Sequence, residues 1–326
     1  MRLRFVVAVA VCGLAACLQA AVANGTESLN GLCQRLKNSA SFVERLHAAE
    51  ALAEYGGRAV PALRGLLQYP DSGVREFAAV ALSRMGPEAE PAVPELIGLL
   101  AMPADPSVST VLATLARIGP AAAPAVPAIA RLLPDSDWRV REDAIEALAS
   151  IGTADAALAL ATQLERDLPD QKLETIMAIR ECGPAAGAIL SELVEFGSKT
   201  SDAGLRDEVF LSVARLGEPA LDELVLLLDA DPAVLRRCAA MAIGQMGLAG
   251  RAAVPELQVA LRDPDAAVRF WAARALGAVA PADPRVQFVL WQALSDPDAD
   301  VCWAAAESLG LNTMARAGGT TKGAAE

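Results

Sequence analysis

Aromatic residues are scarce in this sequence, at 4% of 326 residues. Alanine and leucine dominate instead, which suits close-packed helices better than a β-sandwich built on Val, Ile, Tyr and Thr. A hydrophobic fraction of 54% is enough for most of the chain to fold. The composition therefore predicts an all-α protein.

Residues that commonly carry out catalysis are also scarce. The single histidine, His47, falls at a repeat position that elsewhere holds unrelated residues, so we interpret it as a residue on the flank of a helix. The sequence contains no His-Glu dipeptide and no HExxH, GxSxG, GxGxxG or GxxxxGK[ST] motif. We predict no catalytic residue, no metal ligand and no cofactor, and therefore not an enzyme.

Positive charge is in deficit. The formal net charge is −12 and the isoelectric point is about 4.7. Such a field repels phosphate backbones and anionic lipid headgroups. We expect no nucleic-acid partner, and a membrane association only through a lipid anchor.

Long hydrophobic runs are missing beyond the N-terminus, where Pro, Gly and charges interrupt every candidate spanning helix. The first residues are typical of an export signal, with Arg2 and Arg4 before an apolar stretch. Two cleavage sites remain open. Ala21-Val22-Ala23 would release a soluble protein, whereas the sequence up to Cys17 resembles the bacterial lipoprotein lipobox and would place a lipid on that cysteine. We predict an exported bacterial protein of the periplasm or cell envelope.

Metal-binding cysteine spacing is also missing. Four cysteines follow the signal, far apart and without a CxxC pair: Cys33, Cys182, Cys238 and Cys302. An oxidising compartment permits disulfides. We favour the interpretation that most of them are buried small hydrophobic residues.

What the sequence does contain is an internal repeat, with a period of roughly 30 residues. Its reference position is held by Gly56, Gly86, Gly119, Gly152, Gly183, Gly217, Gly247, Ala280 and Thr313. Four residues earlier every copy has a large aliphatic residue, and five residues earlier every copy has Ala, Ser or Thr. These offsets share one stripe of an α-helix, so each repeat predicts a first helix with a buried face.

A second helix follows in each repeat. The glycine predicts a left-handed end to the first helix, and Val-Pro pairs at residues 60, 93, 126 and 254 predict the start of the next. An aspartate before the following first helix predicts an N-cap, as at Asp71, Asp137, Asp202 and Asp265.

A basic residue recurs in seven of the nine repeats. We predict that these side chains pair along the stack as an inter-repeat ladder: Arg45, Arg75, Arg141, Lys172, Arg206, Arg236 and Arg269.

The motif, which reads D-P-x-x-x-V-R and then A-x-x-A-L and Gly, resembles the HEAT-repeat superfamily, in particular the short HEAT-like repeats of phycobilisome lyases. The resemblance implies an armadillo-type α-α superhelix, a right-handed solenoid of about nine helix pairs. It also raises two enzymatic alternatives, a phycobilin lyase and a deoxyhypusine hydroxylase. The first acts in the cytoplasm, which conflicts with the export signal, and the second takes its metal ligands from His-Glu pairs that this sequence lacks.

The predicted organisation is a signal peptide at residues 1–23, a capping helix at 24–38, one continuous repeat domain at 39–313 and a disordered tail at 314–326. The function that this architecture favours is a protein-binding scaffold, with a structural envelope spacer as the alternative.

Aromatic residues concentrate near the end of the repeats, which points to a partner-binding surface at Phe270, Trp271, Trp291 and Trp303. Phe270 and Trp303 share one helix position in adjacent repeats, on the face away from the buried stripe, so we expect neighbouring rings there. Trp291 belongs to a second helix, and we expect it to face the inner groove. The alternative is that the last repeats bury these rings as an end cap.

Overall fold

The computed structural model describes residues 27–311, apart from residues 103–105, 136, 165 and 167–168. Every regular element in this part of the chain is an α-helix or a 3-10 helix. The predicted signal peptide with Cys17 and the predicted tail lie outside the described residues. The all-α prediction is confirmed.

The helices form two compact units, and the boundary between them along the chain lies between Gln163 and Leu164. The first unit contains α1 Leu29–Asn38, α2 Phe42–Glu54, α3 Val60–Leu67, α4 Ser72–Met85, α5 Val93–Leu100, α6 Val108–Ile118, α7 Val126–Ala130, α8 Trp138–Ile151 and all but the last residue of α9 Ala154–Leu164. The second contains α10 Pro169–Glu181, α11 Leu190–Lys199, α12 Ala203–Ala214, α13 Glu218–Leu227, α14 Ala233–Gln245, α15 Val254–Ala260, α16 Ala266–Val279, α17 Pro284–Ala293 and α18 Ala299–Ser308.

Each unit is a stack of helix pairs. In the first, α2, α4, α6 and α8 contact one another in sequence, and in the second α10, α12, α14, α16 and α18 do the same. The aliphatic residue four before the reference position is completely buried in eight repeats, from Leu52 to Leu276. A helix pair cannot cover this stripe alone, so neighbouring repeats supply the core. The predicted fold class, a stack of the α-α superhelix type, is confirmed.

The small residues of the stripe allow these first helices to approach closely. Thr114 Oγ1 donates to the carbonyl of Ala79 at 3.0 Å, and Ser308 Oγ donates to the carbonyl of Ala273 at 3.1 Å. Both hydrogen bonds join consecutive first helices. The position five residues before the reference, which holds Ala, Ser or Thr, therefore also supplies specific polar contacts between repeats.

The reference glycines end these helices with positive φ, from Gly247 at 56° to Gly217 at 78°. The predicted left-handed helical conformation is correct at Gly152, where ψ is 35°. It is wrong at Gly86 and Gly119, where ψ is −129° and −141°. That region is open only to glycine, because any Cβ would clash there.

Short 3-10 segments connect several glycines to the second helix, as in Gly86–Ala92 and Gly247–Ala253. The Val-Pro pairs then stand in the first turn of the second helices, as predicted. The four predicted aspartate N-caps are also confirmed, since each carboxylate accepts a backbone N–H of its helix.

One helical stretch in the described part of the chain, Val108–Ala130, is long and apolar enough to cross a membrane by length and composition alone. Half of the 18-residue window that meets this criterion is buried, and core helices of soluble proteins meet the same criterion. It comprises α6, a 3-10 segment with two prolines, and α7.

Candidate protein-binding surfaces

Three aromatic side chains form a cluster in the second unit. Phe270 and Trp303 come from α16 and α18, and their rings stack with centroids 6.4 Å apart and planes 8° apart. The Trp271 ring meets Phe270 edge to face at 5.3 Å. Trp303 is 47% exposed and the other two are half-buried. We call these three side chains the ring cluster.

Arg274 lies at the centre of the ring cluster. Its guanidinium carbon is 5.7 to 5.9 Å from all three ring centroids, within the range of a cation–π contact. Its NH1 also pairs with Glu307 at 3.3 Å. Sequence reasoning missed this residue, although its spacing of four from Phe270 and three from Trp271 places it on the same helix face.

Trp291 lies apart from the ring cluster, on α17, and is 56% exposed. Among the described residues it contacts no other aromatic ring. Four predicted partner-binding aromatics therefore occupy two places, three in one cluster on first helices and one on a second helix.

The recurrent arginines form hydrogen bonds with the loop that precedes their own first helix. Each of the six arginines donates to the carbonyl six residues earlier, for example Arg45 to Ser39 at 2.7 Å and Arg269 to Asp263 at 2.9 Å. This contact fixes the loop before the first helix. Lys172 differs, because its Nζ lies 5.1 Å over the Phe196 ring.

Within the described residues, Arg45, Arg236 and Arg269 also reach an aspartate of the next repeat. Arg45 pairs with Asp71 at 3.0 Å, Arg236 with Asp263 at 2.7 Å, and Arg269 with Asp296 at 2.9 Å. The last two pairs use two nitrogens and both carboxylate oxygens. Such bidentate pairs are geometrically specific.

These contacts lower the pKa of the two aspartates that form bidentate pairs. Burial of Asp263 raises its pKa, but hydrogen bonds from Arg236 and the Asp265 amide outweigh that effect and leave the pKa below its usual value. For Asp296 the hydrogen bond from Arg269 is the largest cause, and its pKa is also lowered. Sequence reasoning did not identify these acceptors, which belong to the repeat that follows each arginine.

The cysteines and the histidine lie mostly in the core. All four cysteines in the described part of the chain are free thiols, with Cys302 the most accessible. Burial raises the pKa of Cys182 to about 11 and that of Cys238 to about 12. His47 is only 7% exposed, so the interpretation of a variable helix flank is wrong, and its position in α2 faces the packed interior. Within the described residues no group of three or more His, Cys, Asp or Glu is arranged to hold a metal ion.

The comparison with protein families matches HEAT repeats over residues 29–113, 109–180 and 221–310. No curated protein matches the chain.

Among solved structures, the karyopherin Kap121p is 12% identical with a TM-score of 0.51, over 86% of this chain and 37% of the karyopherin. Kap121p bound to the extreme C-terminus of the protein phosphatase Cdc14p is 12% identical with a TM-score of 0.50, over 87% and 37%. The chain thus spans little more than a third of these karyopherins, and the likeness shows the fold. Human deoxyhypusine hydroxylase is 21% identical over 80% of this chain and 98% of its own, but a TM-score of 0.32 supports no inference.

The three family matches together cover well over half of the sequence, and they coincide with the stacked helix pairs. This chain belongs to the HEAT-repeat family.

Proposed function

We propose that this chain is a non-catalytic protein-binding scaffold whose contact surface includes the ring cluster. The observation that carries the proposal is the stacked, partly exposed pair of Phe270 and Trp303. Four of the other repeats place charged residues at this helix position: Glu76, Glu142, Asp207 and Arg237. Exposed aromatic side chains are frequent anchors of protein interfaces, and contiguous apolar patches on soluble proteins mark interaction sites.

The likeness to Kap121p supports the same class of function. That protein is described in complex with a segment of Cdc14p. We extend to this chain only the general use of stacked helix pairs as a protein-binding surface. The short period of the repeat also supports the proposal that these repeats are of the HEAT-like type named for phycobilisome lyases.

A double variant tests the proposal. Phe270→Ser with Trp303→Ser should abolish retention of a discrete partner from an extract of the native organism, with the melting temperature unchanged. Glu76→Ser with Glu142→Ser alters the same helix position in two other repeats and should retain the partner. A marked fall in the melting temperature of the first variant would show that the rings are an end cap of the core. Self-association without any discrete partner would favour the structural spacer.

We also propose that the chain is exported and acts in the periplasm or cell envelope. The basic start, the apolar stretch and the two cleavage motifs support this location. Replacing Cys17 by serine should remove membrane association if the lipobox is used, and should change nothing if cleavage follows Ala23. If both the wild type and the Cys17 variant remain in the cytoplasm, the export proposal is wrong and the lyase-like alternative is favoured.

A further inference from the structure

A groove in the second unit lies between the C-terminal part of α13 and the helix α15 of the next repeat. It encloses about 720 Å³, within the range of sites that hold several side chains or a small ligand. Its apolar lining comes from Val225, Leu228, Val259 and Ala260. None of these residues belongs to the ring cluster.

The apolar side chains beside this groove are unusually exposed. Leu226 and Val259 stand at equivalent positions of consecutive second helices, and each is 70% exposed. Two of the equivalent positions in the first unit are Gly65 and Gly98, where a Cβ would meet nothing within 4 Å, and a third is Arg131. The fold therefore does not require a large apolar residue there, and the exposed apolar pair is particular to the two repeats that contain α13 and α15.

The rim of the groove is acidic. Four carboxylates line it, against two guanidinium groups. Arg236 is already engaged by Asp263 and Asp231. Within the described residues neither Asp229 nor Glu256 forms an ion pair, and Arg262 is the remaining cation.

We infer that this groove binds a segment of a partner protein that combines apolar side chains with lysine or arginine. The apolar floor would take the aliphatic side chains, and Asp229 and Glu256 would accept hydrogen bonds from the cationic groups. The net charge of −12 steers a basic segment toward the protein and disfavours an acidic one. The inference rests on the proposed protein-binding function and adds the chemistry of the partner.

Fluorescence anisotropy of the purified chain with labelled nonapeptides tests the inference. A peptide of alternating Lys and Leu should bind with a Kd of about 10–100 μM, and the peptide with Glu for Lys should not bind. Raising the salt from about 50 to about 300 mM should weaken binding several-fold. Asp229→Asn with Glu256→Gln should weaken it at least about fivefold, and so should Leu226→Gln with Val259→Gln.

Asp222→Asn is the matched control, because Asp222 is an exposed carboxylate of α13 outside the groove. Its affinity should equal that of the wild type. The inference is overturned if the Lys peptide does not bind, if the Glu peptide binds equally well, or if either groove variant binds like the wild type. In each of those cases the proposed function stands provided that the ring-cluster variant still loses its partner. Failure of the wild-type chain to retain any partner overturns the proposed function itself.

Discussion

At the scale of residues, the recurrent arginine links consecutive repeats through one aspartate. The Asp263 carboxylate accepts from Arg236 of the preceding repeat, and the Asp263 carbonyl accepts from Arg269 of its own repeat. An arginine such as Arg236 therefore links the loop of its own repeat to the loop of the next repeat. This arrangement is incomplete at Arg206, because Ala230 occupies the position that Asp263 holds one repeat later.

Ala230→Asp should complete this contact and stabilise the chain. The buried Arg206 Nε has no hydrogen-bond partner among the residues that the structure describes, and an unsatisfied buried donor is costly. We expect a gain of about 1 kcal/mol, or about 2 °C in the thermal midpoint, measured by differential scanning fluorimetry. The same substitution in an Arg206→Gln background should give no gain. A gain that persists there would show that the aspartate acts by another route.

Acid should weaken the ladder at Asp296. Because the hydrogen bond from Arg269 lowers the pKa of Asp296 in the folded state, its contribution is complete above the unfolded pKa of about 3.9 and is lost as the pH falls below about 4. In urea titrations Asp296→Asn should therefore lower the free energy of unfolding at about pH 6 by about 1–3 kcal/mol, and this deficit should shrink as the pH falls below about 4. Asp222→Asn should leave the wild-type curve unchanged. A constant deficit of Asp296→Asn at every pH would contradict the assignment.

At the scale of elements, glycine serves two different purposes in these helices. Gly277 sits in α16, where a Cβ would lie 2.5 Å from the Ser308 Cβ and 3.0 Å from its Cα in α18. Gly65 sits in the interior of α3 and faces open space. The first glycine allows two helices to approach, whereas the second only lowers helix propensity.

Substitution by alanine should have opposite effects at these two glycines. Gly277→Ala should destabilise by about 1–3 kcal/mol, because α16 and α18 must move apart. Gly65→Ala should stabilise by about 0.5–1 kcal/mol, because alanine favours the helix and meets no neighbour. Chemical denaturation monitored by circular dichroism measures both. Equal effects of the two variants would contradict the packing account.

At the scale of the whole molecule, each repeat contacts mainly its sequence neighbours within a unit. Stability in such an array is a sum of local terms and interfaces between adjacent repeats. A defect at one interface should therefore remain local.

Hydrogen exchange measured by mass spectrometry should show this locality. In Gly277→Ala, amides of α16 and α18 should lose protection. Peptides from α2 and α4 should exchange as in the wild type. A uniform loss of protection along the chain would indicate one cooperative unit instead.

The sequence by itself determined the helix pairs, the buried stripe and the caps. Those features depend on local chemistry: the helical period, the glycine that allows positive φ, the proline in a first turn and the aspartate that caps free N–H groups. The structural role of residues such as Leu52 and Asp71 can therefore be predicted from the sequence immediately around them.

Only the tertiary structure decided which side chains of different repeats meet. That Phe270 and Trp303 are neighbours was expected from their equivalent positions, but the stacking of the two rings and the place of Arg274 between them depend on the side-chain rotamers. The pairing of Arg236 with Asp263, the burial of His47 and the groove beside Val259 depend on the register of helices in neighbouring repeats. That register is set by the summed packing of whole helix faces, which no local pattern specifies.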